Sequence, residues 1–97
     1  MKNIDEIRKI FKENKDEVQK KFYVKELGIF GSYVKGQQGE GSDIDILVEF
    51  FRPVGFFAFL DLEEHLSQLL GIEVDLVSKK ALKPRIGMRI LEESVSL

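Results

Sequence analysis

Between Gly28 and Phe50 the chain reads G-I-F-G-S-Y-V-K-G-Q-Q-G-E-G-S-D-I-D-I-L-V-E-F, and this stretch limits what the remainder can become. It leaves an apolar run, breaks at Gly31-Ser32, crosses a segment holding Gly36, Gly39 and Gly41, and re-enters a β-branched run that carries Asp43 and Asp45. Residues two apart on a strand point the same way. Asp43 and Asp45 are therefore expected on one face, and Ile44, Ile46 and Val48 on the other. Paired carboxylates repel one another and add nothing to a core, but they are the oxygen donors that a hard cation such as Mg²⁺ takes. The Gly-Ser break offers backbone N–H groups and a hydroxyl at a helix start, where a phosphate is received. The stretch implies a site for a metal-bound triphosphate.

The flanking chain supplies elements to hold that site. Asn3 is suited to cap a first helix, with Asp5 and Glu6 at its positive end and Ile4, Ile7, Phe11, Val18 and Phe22 along one stripe. A first strand is expected over Val24–Phe30, followed by a short helix through Tyr33, Val34 and Lys35. Residues 37–42 are expected to form a loop that is mobile without ligand. A second strand over 43–50 ends at Arg52-Pro53-Val54-Gly55, since proline cannot donate in a ladder. Phe56–Leu70 reads as a helix with Phe59, Leu62, Leu66 and Leu69 at helical spacing and Gly71 as its cap. A third strand is expected over 73–78, and a last helix over Pro84–Glu93, with Ile86, Ile90 and Leu91 turned inward. The order α-β-α-β-α-β-α implies an α/β domain, a small sheet with helices packed against it.

Composition removes several alternatives. Ninety-seven residues suffice for one domain with a single core, so 1–97 is read as one unit. There is no cysteine, hence no disulfide or thiolate metal site, and the lone His65 lacks the companions zinc needs. His65 reads as a structural or surface residue. No apolar run approaches membrane-spanning length and the N-terminus is charged throughout, so a cytoplasmic protein is expected. A net charge of −2 argues against general nucleic-acid binding, which relies on a basic surface to release counterions.

Gly31-Ser32, ten intervening residues and Asp43-x-Asp45 resemble the signature of the DNA polymerase β-type nucleotidyltransferases. A third carboxylate on a later strand is part of that pattern, and Glu73-Val74-Asp75-Leu76-Val77 provides it. Through Ala81-Leu82-Lys83-Pro84-Arg85 and the helix beyond, the chain is similar more narrowly to the minimal nucleotidyltransferases, the antitoxin partners of HEPN-domain toxins. This resemblance implies a mixed sheet with the Asp75 strand beside the Asp43–Asp45 strand. It implies two Mg²⁺ ions, with Asp43 and Asp45 shared between them and Asp75 serving the acceptor side and helping to take the acceptor proton. Gly31 and Ser32 would hold the β- and γ-phosphates of ATP. AMP would pass to a hydroxyl, a tyrosine of the partner HEPN toxin, with release of pyrophosphate.

Two points depart from that pattern or stay open. Relatives often carry arginine directly after the Gly-Ser, whereas this chain has Tyr33 and then Lys35. Phosphate charge would then be met by Lys35 or by the later cluster of Lys79, Lys80, Lys83, Arg85 and Arg89, for which an ordinary solvated face or an acidic patch on a partner are the other uses. The run Phe50, Phe51, Phe56, Phe57 and Phe59 is crowded for so small a core. It reads equally as dense packing or as an exposed patch for partner binding or self-association into a homo-oligomer. Without a further helical domain to form an acceptor pocket, the active face is expected to be open, which suits a macromolecular acceptor. Two alternatives remain beside the protein adenylyltransferase: a non-catalytic antitoxin that masks its toxin, and a small-molecule nucleotidyltransferase completed by a separate helical subunit.

Overall fold

The computed structural model describes residues 3–36, 43–82 and 84–97. The loop expected at 37–42 and Lys83 lie outside the described residues, as do the side chains of Ser32, Lys35, Arg85, Ile86, Arg89 and Leu91. Helix α1 spans Ile4–Phe22. Its first turn is closed by a reciprocal capping box, in which the Glu6 amide donates to Asn3 Oδ1 at 2.9 Å and the Asn3 amide donates to the Glu6 carboxylate. Strand β1 (Val24–Phe30) leads through Gly31 into the four-residue helix α2 (Ser32–Lys35), and strand β2 covers Ile44–Phe50. Helix α3 runs over Phe56–Leu70 and ends at Gly71, whose φ of +64° is the left-handed cap that glycine takes without strain. Strand β3 is Val74–Ser78, a 3₁₀ turn covers Lys79–Ala81, helix α4 covers Pro84–Glu93, and strand β4 is Val95–Ser96.

The expected α/β class and mixed sheet are borne out, with two additions. The strand order is β3-β2-β1-β4; β1 is antiparallel to both its neighbours and β2 is parallel to β3. The sequence reading did not include β4 or the 3₁₀ turn. The second and third strands also start one residue later than expected, at Ile44 and Val74. The parallel pair is possible because α3 carries the chain back across the sheet between β2 and β3.

One side of the sheet carries the core. Ile7, Phe11 and Val18 of α1 and Leu62, Leu66 and Leu70 of α3 meet Ile29, Ile44, Ile46, Val48, Val74 and Leu76 from the strands. Each of these is almost fully buried, and burying a side chain of this size contributes roughly 1.5–3 kcal/mol. Leu70 takes an inner position that the sequence reading had not assigned, while Phe59 and Leu69 pack at the margin. Tyr33, the departure after the Gly-Ser break, is 4% exposed and belongs to the core cluster. His65 is half-buried with its ring 5.1 Å from that of Phe22.

The outer edge of β3 is closed by side chains rather than by another strand. The Val74 amide donates to Ser67 Oγ at 3.0 Å, and the Leu76 amide donates to Glu63 Oε2 at 2.9 Å, both acceptors coming from α3. The phenylalanine run divides. Phe50 and Phe59 pack together against the core, with ring centroids 6.5 Å apart, whereas Phe51, Phe56 and Phe57 are exposed. Among the described residues no helix is long and apolar enough to cross a membrane.

Candidate active site

The register of the sheet decides where the acids meet. In the antiparallel pair Phe30 lies opposite Asp45, and in the parallel pair Asp45 lies opposite Asp75. The end of β1, the start of β2 and the start of β3 therefore converge at one end of the sheet. Asp43 sits just before the first residue of β2 and is exposed there, while the next amide, that of Ile44, donates to the Glu73 carbonyl at 2.9 Å. Asp75 is exposed on the edge strand, and Asp45 is half-buried on the inner one.

Electrostatics single out Asp45. Burial is the first cause that raises its carboxyl above the ordinary range, because removal from water disfavours the charged form. The charges of Asp75 and then Asp43 push in the same direction, and a side-chain hydrogen bond with Asp75 further favours the protonated form. Asp45 thus feels both of the other acids assigned to the site.

Gly31 completes the arrangement. Its φ is +77°, a region that side chains with a Cβ rarely adopt, and its carbonyl accepts from the Val34 amide at 3.2 Å to start α2. A Cβ at this position would collide with Asp45 Oδ2 and would stand 3.2 Å from Asp45 Cγ. The carboxylate of the central acid thus lies against the bare Cα of the turn glycine. Ser32 and Lys35 fall in α2, the first directly after this contact. Gly36 also has a positive φ, +68°, but open space around the place where a Cβ would stand.

Of the later cationic cluster, Lys79 and Lys80 are the members whose side chains are described. Lys79 lies 3.4 Å from Glu49 Oε2, at the opposite end of β2 and β3 from the aspartates. The sequence reading named Lys79 but missed Glu49. Part of the signal was there in the alternation, because Asp45 and Glu49 are four apart on one strand and Lys79, four after Asp75, directly follows the other. Arg52, also unassigned from sequence, stands with its guanidinium carbon 3.4 Å from the ring centre of Tyr23.

As a donor set, the aspartates offer hard oxygen ligands, one of them held between two like charges that a cation would relieve. Among the described residues, no three acidic or histidine side chains are gathered closely enough to hold a metal ion by themselves. Water and ligand oxygens would have to complete any shell built here, as is usual where a small divalent cation meets a phosphate.

Known proteins share this fold and sequence pattern. The protein adenylyltransferase MntA of Thermococcus cleftensis is 45% identical over 95 residues, covering 98% of this chain and 96% of that protein. A crystal structure of a toxin–antitoxin pair with AMP-PNP contains a chain that is 27% identical, with a TM-score of 0.73 over 93% of this chain and 70% of that one. The fold is shared as well with a chain, 19% identical at a TM-score of 0.65 over 92% of this chain and 70% of that one, in a structure of a tri-AMPylated Shewanella oneidensis HEPN toxin bound to its MNT antitoxin. The family model described as the nucleotidyltransferase domain matches residues 4–97, and the chain belongs to that family.

Proposed function

We propose that this chain is a Mg²⁺-dependent protein adenylyltransferase that moves AMP from ATP to a hydroxyl, a tyrosine, of a partner HEPN toxin, and so acts as an antitoxin. The observation that carries this reading is the register pairing of Asp45 with Asp75 directly over the glycine turn at Gly31. It is supported by the adenylyltransferase relative and by the AMP-PNP and AMPylated-toxin structures of chains with the same fold.

Asp43, Asp45 and Asp75 would hold the metal. When bound, Mg²⁺ supplies positive charge to the attacking and departing oxygens of an in-line displacement. The chain's own residues do the rest. Gly31 would let the backbone approach the β- and γ-phosphates closely, and the family resemblance assigns Ser32 and Lys35 to the same phosphates. The acceptor oxygen forms a bond to the α-phosphorus as the bond to the bridging oxygen breaks. Pyrophosphate leaves, and the hydroxyl proton passes to Asp75.

The test is mass spectrometry of the purified HEPN partner after incubation with this protein, ATP and Mg²⁺. One or more added adenylyl units are expected, with none in the absence of ATP. An unchanged mass together with blocked RNase activity would replace this reading with neutralisation by masking.

A further inference from the structure

The other end of β2 and β3 carries a feature that the nucleotide chemistry does not use. A groove of about 480 Å³ opens between the ends of those strands, the Pro53–Gly55 turn and the start of α3. Its floor is apolar, made by Val48, Phe50, Val54 and Phe59. Phe56 lines its rim, and Phe57 stands beside it with the two rings 5.9 Å apart, edge to face. These two side chains are 70% and 80% exposed, and the neighbouring Phe51 is 57% exposed. Phe51 packs edge-on against Tyr23 instead, so the exposed pair Phe56–Phe57 beside a concave apolar floor is what has the anatomy of a protein–protein contact centre.

Charge indicates the occupant. Arg52, Lys79 and Lys80 line the groove against a single acid, Glu49, which is already paired with Lys79. This local excess of cations stands in a chain whose net charge is −2. A second copy docking by the same patch would set these cations against their own images, since a two-fold interface brings a surface to itself. A single-stranded nucleic acid would require cations spaced along a track, and here they rim one pocket.

We infer that this groove and its Phe56–Phe57 rim dock the acceptor protein through a segment whose apolar side chains are flanked by carboxylates. The inference rests on the adenylyltransferase reading for the identity of that partner. Glu49 lies four positions beyond Asp45 along β2, about 13 Å of strand. Docking is therefore distinct from chemistry. It holds the body of the acceptor at one end of the strands while the hydroxyl reaches the aspartates at the other.

The experiment measures binding of the purified HEPN partner, and transfer to it, for the wild type, the Phe56→Ser/Phe57→Ser double variant and Lys80→Glu. All the substituted side chains are exposed, so the melting curves are expected to stay close to wild type. Both variants are expected to weaken acceptor binding tenfold or more and to raise KM while kcat and AMP-PNP affinity stay within twofold. An amphipathic peptide with leucines at helical spacing and glutamates between them should compete with the acceptor, and its lysine counterpart should not. Acceptor binding within twofold of wild type in both variants overturns the inference, as does absence of binding by the wild type. So does a patch-dependent dimer in sedimentation, or patch-dependent binding of single-stranded RNA or anionic vesicles with acceptor binding intact. A wild type that binds the acceptor tightly through the patch yet transfers no AMP would sink the catalytic reading and leave the docking surface standing.

Discussion

Strands β2 and β3 run side by side, and their two ends are built on opposite terms. Where they begin, the register sets Asp45 against Asp75, like charge facing like charge, with Asp43 adding a third. Where they finish, Glu49 lies opposite Glu26 of β1 in the register but has a cation at hand, Lys79, at 3.4 Å. Strands, parallel pairing and the helices behind them are common to both ends, so the fold itself does not ask for the difference. Facing carboxylates cost stability, and a cation bound between them would relieve that cost. The compensated end is free to present apolar surface instead.

The largest expected effect tests the uncompensated end. Asp43→Asn or Asp45→Asn should abolish AMP transfer in the mass assay, a loss exceeding the roughly 10–100-fold that even an outer-shell partner of a metal site costs. Full transfer by either variant would mean that the facing acids are not the chemical end of the sheet. The glycine turn gives a sharper contrast. Gly31→Ala should reduce transfer at least tenfold, because the new methyl collides with the Asp45 carboxylate in addition to straining the backbone. Gly36→Ala shares the positive φ but meets open space, and should cost about 1 kcal/mol in a melting curve with transfer retained. If the two variants lose activity equally, the contact with Asp45 has no role.

A smaller effect is expected in stability. The folded-state carboxyl of Asp45 is raised, so the native state holds on to a proton that the unfolded chain releases. As pH climbs from about 4, where an unfolded aspartate titrates, stability should fall, and the penalty is complete once the raised folded value has been passed. In chelator at neutral pH, Asp45→Asn should be more stable than wild type by about 1 kcal/mol after allowance for solvent screening, several degrees in Tm. Mg²⁺ with AMP-PNP should then stabilise the wild type more than the variant. A variant that is less stable in chelator would make Asp45 a structural residue. The smallest effect belongs to the compensated end. Lys79→Met should cost only about 0.5 kcal/mol in a melting curve, since a half-exposed ion pair contributes little, and should leave AMP-PNP affinity intact.

Much of this arrangement was legible in the residues, for identifiable reasons. Helix α3 was readable to its ends because a Pro53–Gly55 break precedes it and a glycine cap follows. Asp43 and Asp45 stood out because charges in a β-branched run have no packing role, whereas Asp75 was found through the family pattern. The fate of the phenylalanines was not readable. All five have the same appetite for burial, and their positions relative to the end of β2 and the start of α3 decided that Phe50 and Phe59 go in and Phe51, Phe56 and Phe57 stay out. Strand β4 escaped notice because two residues carry no periodicity; it exists through pairing of Val95 with Ile29 and Ser96 with Gly28. Tyr33 read as a gap in the phosphate turn, yet its burial makes it part of what holds α2 in place.

The side chains that close the outer edge of β3 limit how a partner can approach. An exposed edge strand ordinarily invites a foreign strand to continue the sheet, through its row of free amides and carbonyls. In β3 the outward amides of Val74 and Leu76 are already taken by Ser67 and Glu63 of α3. An incoming strand would have to displace one of these acceptors for each bond it gained to those amides. The edge is thus blunted at those two amides against extension into an intermolecular sheet.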